Sequence, residues 1–200
     1  EILSEEARQE KITIYDISED NLNFKEKAGK YIDFLNVNAY DKERDVRTNI
    51  AGEFQKSNLA AALQTAELIC GRLDEDKIYE ALSQIRISGR MEEIAPGIIV
   101  DVSHNIQGMQ GFVQTVEANY HGMKKRILFA ASHQNEEEYM KNILKTIPEI
   151  EAFYTVGIHK RRIDEAEFQD AFRKMIDRNQ ETTVCFVVGS FIWQAWPKSL

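Results

Sequence analysis

The sequence predicts an α/β protein in two pieces: a mixed α/β segment over residues 1–85 and a compact three-layer domain with a mostly parallel sheet over 86–200. Three observations carry that expectation. From Gly97 onward, strand-like and helix-like stretches alternate, which imposes parallel pairing through right-handed crossovers. The run Gly97-Ile98-Ile99-Val100-Asp101-Val102 lacks polar alternation, as a strand covered on both faces does. Before residue 86 the grammar differs, with short charged strand patterns followed by two helical ones.

The elements follow in order. Ile12–Tyr15 is short, apolar and β-branched, a strand pattern. Asn23–Lys27 and Lys30–Val37 flank Ala28-Gly29, which reads as a hairpin turn in a charged edge sheet, and Val46–Ile50 adds a further strand. From Gln55 the period becomes helical: Leu59, Ala62, Leu63, Ala66 and Ile69 share one face, and Gly71 stands where a helix-terminating glycine belongs. A second helix starts near Asp74. Asp74-Glu75-Asp76 favours the positive end of its dipole, and Ile78, Leu82 and Ile85 form its apolar face.

Past Ser88-Gly89 comes the buried strand, then a helix with Ile106, Met109, Phe112, Val113 and Val116 on one face. Strand Arg126–Ala131 precedes a helix carrying Tyr139, Met140, Ile143, Leu144 and Ile147. Strand Ala152–Val156, a helix with Phe168, Phe172, Met175 and Ile176, and strand Thr183–Val188 complete the series.

Composition narrows the function classes. Two hundred residues, 43% hydrophobic and 29% charged, can bury a substantial core and do not resemble a disordered chain. The net charge of −8 argues against a broad nucleic-acid surface, which needs a basic face. It is uneven, −7 over residues 1–85 and −1 over 86–200, so the second piece can still hold an anion. Cys70 and Cys185 lie far apart without metal-ligand spacing, so a reducing cytoplasm without disulfides or zinc is expected. No apolar run approaches membrane-spanning length, and the acidic start is no signal peptide. The chain opens on Glu1 rather than Met, which fits a piece of a longer protein.

In an open parallel sheet, ligands bind beyond the carboxyl ends of the strands. Those ends here carry Asp101-Val102-Ser103-His104-Asn105, Ser132-His133-Gln134-Asn135, Gly157-Ile158-His159-Lys160-Arg161-Arg162 and Gly189-Ser190. Three of the four histidines therefore fall on one edge. An aspartate in the position of Asp101 can accept bonds from two ribose hydroxyls, or it can shape a turn or cap a helix; position alone leaves both open. Ser103 beside His104 lacks the Gly-x-Ser-x-Gly elbow of a hydrolase. Lys160-Arg161-Arg162 reads as a solvated loop. The chain contains neither a Gly-x-x-x-x-Gly-Lys-Ser/Thr phosphate loop nor a Gly-x-Gly-x-x-Gly fingerprint.

Four segments, in order, carry a resemblance. Gly52-Glu53-Phe54-Gln55-Lys56-Ser57-Asn58-Leu59-Ala60-Ala61-Ala62-Leu63 resembles the G-x-H-Q-x-x-N-x-x-x-A-L segment of folylpolyglutamate synthases. Ser88-Gly89-Arg90-Met91-Glu92 is similar to their P-G-R-x-E, Asp101-Val102-Ser103-His104-Asn105 to D-G-A-H-N, and Val187-Val188-Gly189-Ser190 to the strand end T-G-S. The wider Mur ligase superfamily shares the second and third patterns.

The resemblance to this folylpolyglutamate/dihydrofolate synthase family implies an ATP-dependent amide ligase. Such an enzyme phosphorylates a carboxylate on folate or dihydropteroate, and the amino group of glutamate then attacks the acyl phosphate. It implies the tail of a P-loop ATPase domain over 1–85 and a Rossmann-like C-terminal domain over 86–200. Carried over by position, Asn58 faces the adenine, Arg90 the phosphates and Asp101 the ribose, and His104 lies near phosphate or incoming glutamate as the candidate catalytic group. The phosphate loop and the Mg2+ ligands belong upstream of Glu1, so the 200 residues alone are expected to be inactive. The full-length enzyme is expected to be a cytoplasmic monomer. Two departures, Phe54 for the usual His and Gln134-Asn135 for the usual Lys-Asp, leave the acceptor open. A stand-alone binding module of the same fold and a peptidoglycan Mur ligase are the alternative readings.

Overall fold

The computed structural model describes residues 10, 13, 23–28, 33–38, 45–52, 54–130, 134–159, 162–176 and 182–190. The strand expected at Ile12–Tyr15 lies outside these residues except for Thr13, and Ser132, His133, Lys160 and Arg161 lie outside them too.

An antiparallel sheet of three strands comes first: β1 (Asn23–Ala28), β2 (Asp33–Asn38) and β3 (Asp45–Arg47). Its register places Ala28 opposite Asp33, and the expected turn at Gly29 and strand start at Lys30 lie outside the described residues. Helix α1 (Phe54–Cys70) and helix α2 (Glu75–Gln84) follow. Asp74 caps α2 by accepting from the Asp76 and Lys77 amides at 3.0 and 3.3 Å, satisfying donors that the first turn leaves free. Leu59 of α1 packs with Ile78, Tyr79 and Leu82 of α2 in a small core. The apolar face expected along α1 is buried only at its start: Leu68 and Ile69 are 50% and 77% exposed. Ile85 ends α2 as its cap instead of continuing the apolar face.

The second part is a five-stranded sheet in the order β4-β5-β10-β6-β7. Its members are β4 (Glu92–Ala95), β5 (Ile98–Asp101), β6 (Lys124–Ala130), β7 (Ile150–Val156) and β10 (Thr183–Gly189). The four central and outer strands from β5 to β7 are parallel, and only β4 runs antiparallel, as a hairpin partner of β5. Strands β8 (Ile158–His159) and β9 (Arg162–Ile163) pair antiparallel, so Arg162 of the basic run expected as a loop lies in a strand.

Three layers result. Helices α3 (Ile106–Asn119) and α4 (Gln134–Leu144) cover one face, where Met109, Phe112, Val116, Met140 and Leu144 meet Ile99, Ile127 and Phe186. Helix α5 (Glu165–Ile176) covers the other, where Phe168, Phe172 and Met175 meet Val100, Leu128 and Val187. The alternate residues of β10 thus feed both cores, which is why its sequence shows no polar alternation. Helix faces hold as expected except at Tyr139, which is 67% exposed, and at Ile147, which is buried beyond the end of α4.

The crossovers follow from that order. Strand β10 inserts between β5 and β6, so α3 carries the chain past its place, and α5 returns on the opposite face to fill it. The carboxyl ends of β5, β10 and β6 consequently line up, with Val188 beside both Asp101 and Phe129.

Candidate functional site

A cleft of about 700 Å³ opens beyond the carboxyl end of β5. Three pieces of chain wall it: the first turns of α1, the Ile87–Arg90 turn, and the Ser103–Asn105 loop running into α3. Of the residues singled out in the sequence, Asn58, Arg90 and His104 line this cleft together.

Asn58 sits in the second turn of α1, which begins at Phe54, so it does not cap that helix. Its Nδ2 donates to Gln55 Oε1 at 3.0 Å, and Gln55 is itself 2% exposed, so the amide is oriented from below. Arg90 is half-buried. Two nearby carboxylates hold backbone amides: Glu92 Oε2 accepts from the Gly89 amide at 2.7 Å, and Asp101 accepts from the Met91 and Ser103 amides. Among the described residues no carboxylate forms an ion pair with Arg90, leaving one permanent cation on a wall otherwise built largely of amides and hydroxyls.

Asp101 itself does not line the cleft. It is 1% exposed, with Oδ2 accepting from the Met91 amide at 3.0 Å and Oδ1 from the Ser103 amide at 2.8 Å. Burial pushes its carboxyl above the ordinary value; the Ser103 hydroxyl and amide, the Met91 amide and the Arg90 charge pull in the opposite direction. Asp101 thus ties the Met91 and Ser103 backbones together at the base of the cleft.

His104 is exposed, and its Nδ1 lies 2.9 Å from the Val102 carbonyl. A carbonyl only accepts, so Nδ1 carries the proton and Nε2 is the lone-pair nitrogen of the neutral ring. Ser103, 2% exposed and bound to Asp101, is not paired with that ring, so the two do not form a hydrolase dyad. Asn105 caps α3 by accepting from the Gly108 amide at 2.7 Å. Gly108 makes the tight join possible: a Cβ there would stand 3.1 Å from Asn105 Oδ1 and 3.2 Å from Ser103 Oγ.

Three glutamines of α3, Gln107, Gln110 and Gln114, also line the cleft, and sequence reading missed them. On the polar side of an amphipathic helix they carry no signal that separates them from solvated residues. Phe54 lines it too, and had been noted only as a departure from a motif. The second and third strand-end histidines are not placed here: His133 and the His159 side chain lie outside the described residues. Among those residues there is no cluster of three His, Cys, Asp or Glu side chains that could hold a metal ion.

No family model and no curated protein matches the chain. Solved structures do. The folylpolyglutamate synthetase from Lactobacillus casei superposes with a TM-score of 0.70 at 17% identity, covering 94% of this chain and 48% of that one. The fold is that of the folylpolyglutamate synthases. The Thermotoga maritima folylpolyglutamate synthase gives 0.62 at 20% identity over 94% of this chain and 48% of its own. A pseudomurein peptide ligase type C from Methanothermus fervidus gives 0.60 at 18% identity over 81% and 38%. The chain therefore spans about half the length of the synthases it matches. Within that shared synthase fold, the five-stranded, mostly parallel sheet and the cleft at its edge are the parts described above.

Proposed function

We propose that these 200 residues are the C-terminal portion of an ATP-dependent ligase that adds glutamate to a folate or dihydropteroate acceptor, and that the cleft is its nucleotide half-site. One observation carries this reading: Asn58, Arg90 and His104, drawn from three separate motif segments, converge on one cleft at the carboxyl edge of a parallel sheet. Two solved neighbours of this fold support it, one an AMPPCP–folate complex and one complexed with ADP and AMPPCP. In this reading residues 1–85 end an ATPase domain and residues 86–200 form the C-terminal domain.

The chain's own residues fit a nucleotide. Asn58 offers a donor and an acceptor to an adenine edge, and Arg90 meets phosphate charge with a planar, permanently charged fork. When bound, ATP supplies the phosphoryl group that activates a carboxylate. The Arg90 guanidinium stabilises the charge gathering on that group, and the unprotonated Nε2 of His104 can accept a proton from an incoming ammonium. Among the described residues no cluster of three His, Cys, Asp or Glu side chains is present, and in this reading the Mg2+ ligands and the phosphate loop belong to a segment outside these 200 residues.

The test is titration of the purified chain with ATP. We expect weak, saturable binding, with a Kd of roughly 0.1–1 mM, because these residues include no phosphate loop. Arg90→Ala is expected to weaken it about tenfold, the loss of a charge-assisted hydrogen bond. Glutamate addition by the 200 residues alone would overturn the fragment reading. The peptide-ligase neighbour favours a second acceptor class, a peptidyl precursor, so both acceptors belong in an assay of the longer protein.

A further inference from the structure

We propose that Gln55, buried beneath the cleft, is a positioning residue: it fixes the carboxamide of Asn58 and thereby selects a purine base that carries an exocyclic amine over one that carries a carbonyl there. The proposal rests on the nucleotide reading for the class of ligand, and on side-chain geometry for its mechanism.

Helix α1 buries Gln55, Leu59 and Ala60, and Gln55 is the polar one among them. A carboxamide withdrawn from water costs free energy unless its polar atoms are met. Gln55, 2% exposed, gives its Oε1 to the Asn58 Nδ2 at 3.0 Å. The two stand three positions apart, so they are neighbours on one face of the helix. Gln55 is itself anchored. Its backbone amide donates to the Gly52 carbonyl at 3.0 Å, and the ring of Phe54 before it lies against Gly52 and Gly111.

Asn58, by contrast, is exposed on the cleft wall. An untied asparagine there could offer either end of its carboxamide to a ligand. The bond to Gln55 removes that choice. An amide oxygen only accepts, so one Nδ2 proton goes to Gln55, and Oδ1 with the second Nδ2 proton is left for the base. The cleft's Gln107, Gln110 and Gln114 are exposed and carry no such tie among the described residues, so they can turn to suit either base.

An acceptor held in one place meets the exocyclic amine of adenine, which donates. It opposes the carbonyl oxygen that hypoxanthine or guanine carries at that position. The wrong base then leaves two acceptors facing each other, which is why a site built for a hydrogen bond discriminates well.

Inosine triphosphate differs from ATP at that base edge alone, so the pair is the probe. Nitrogen-15 titrations of the unaltered chain should give a Kd for the inosine nucleotide at least about fivefold above that for ATP. Gln55→Leu should bring the two within about twofold, because a released Asn58 can turn Nδ2 to the carbonyl. Gln55→Glu keeps an acceptor in place and should retain the preference, even where its added charge weakens both nucleotides. A role in packing alone would weaken both nucleotides equally, so a preference that survives in Gln55→Leu would overturn the proposal. A preference for the inosine nucleotide in the unaltered chain would overturn it as well, since Nδ2 would then be the group held towards the base.

The orientation is also read without ligand. Three-bond couplings should report a single χ1 rotamer for Asn58 in the unaltered chain and in Gln55→Glu, and averaged rotamers in Gln55→Leu. Averaged rotamers in the unaltered chain would overturn the proposal whether or not Gln55→Leu folds. Failure of the unaltered chain to bind either nucleotide would overturn the nucleotide reading and the base selection with it, and the couplings would then decide whether Gln55 positions Asn58.

Discussion

The ring of Phe54, in the first turn of α1, lies against Gly111 of α3, so close that a Cβ on that glycine would stand 3.2 Å from Phe54 Cδ1. It crowds Gly52 as well, where a Cβ would come within 2.8 Å of Cε1. This contact joins the helix that carries Asn58 to the helix that follows His104, so it sets the width of the cleft between them.

Gly111→Ala tests the contact. Alanine in a helix interior gains about 1 kcal/mol over glycine, but here its methyl must push the Phe54 ring by a few tenths of an ångström. We expect the two effects nearly to cancel, with a small change in melting temperature. In a Phe54→Ala background the crowding is gone, and the same substitution should stabilise by about 1 kcal/mol. Equal effects in both backgrounds, measured by urea unfolding, would show that the ring does not bear on α3.

The two glycine contacts show how far the sequence could be read. Gly111 was legible as a helical residue and Phe54 as a motif departure, but nothing local says that one packs on the other. The same limit applies to the sheet. The apolar run Gly97–Val102 declared itself a buried strand and Thr183–Val188 a strand, whereas the insertion of β10 between β5 and β6 is a non-local pairing without a local signature. Strand β4 escaped because Glu92 and Glu93 on an antiparallel edge resemble a loop. At the site, residue type and order pointed to Asn58, Arg90 and His104. Whether Asp101 faces the cleft or supports it depends on where the Met91 amide lies, ten residues away, which only the fold determines.

Gly189 makes a second prediction. At the carboxyl end of β10 it has φ of 125°, and a Cβ there would stand 1.9 Å from the Ala130 carbonyl oxygen. That oxygen accepts from the Ser190 amide at 2.8 Å, so backbone meets backbone where a side chain has no room. No rotamer relieves a clash with main chain; β10 and β6 would have to part. Gly189→Ala is expected to cost about 3 kcal/mol or more, lowering the melting temperature by roughly 6–12 °C for a chain of this size. A melting temperature within a degree of the unaltered protein would contradict the close approach.

Two ion pairs at the opposite end of the sheet link its stability to acid. Lys125, 0% exposed, donates to Glu149 Oε2 at 2.9 Å and to the Met123 carbonyl, and Arg126 donates through Nε to Glu151 Oε2 at 2.9 Å. These hydrogen bonds, above all, hold both glutamates below the ordinary 4.5. A carboxylate so depressed contributes stability that is present above its unfolded value and is lost as pH falls through its folded value. Asp101 works in the other direction: raised by burial above 3.8, it favours the fold most when protonated, and that contribution fades as pH rises through its folded value. Glu149→Gln combined with Glu151→Gln removes only the first, so the variant should be less stable than the unaltered chain at pH 7. The gap should narrow as pH falls through the depressed folded values, where Glu149 and Glu151 of the unaltered chain take up protons. Urea midpoints measured from pH 7 to pH 3 decide it, and a gap that stays constant over that range would show that neither pair is linked to folding.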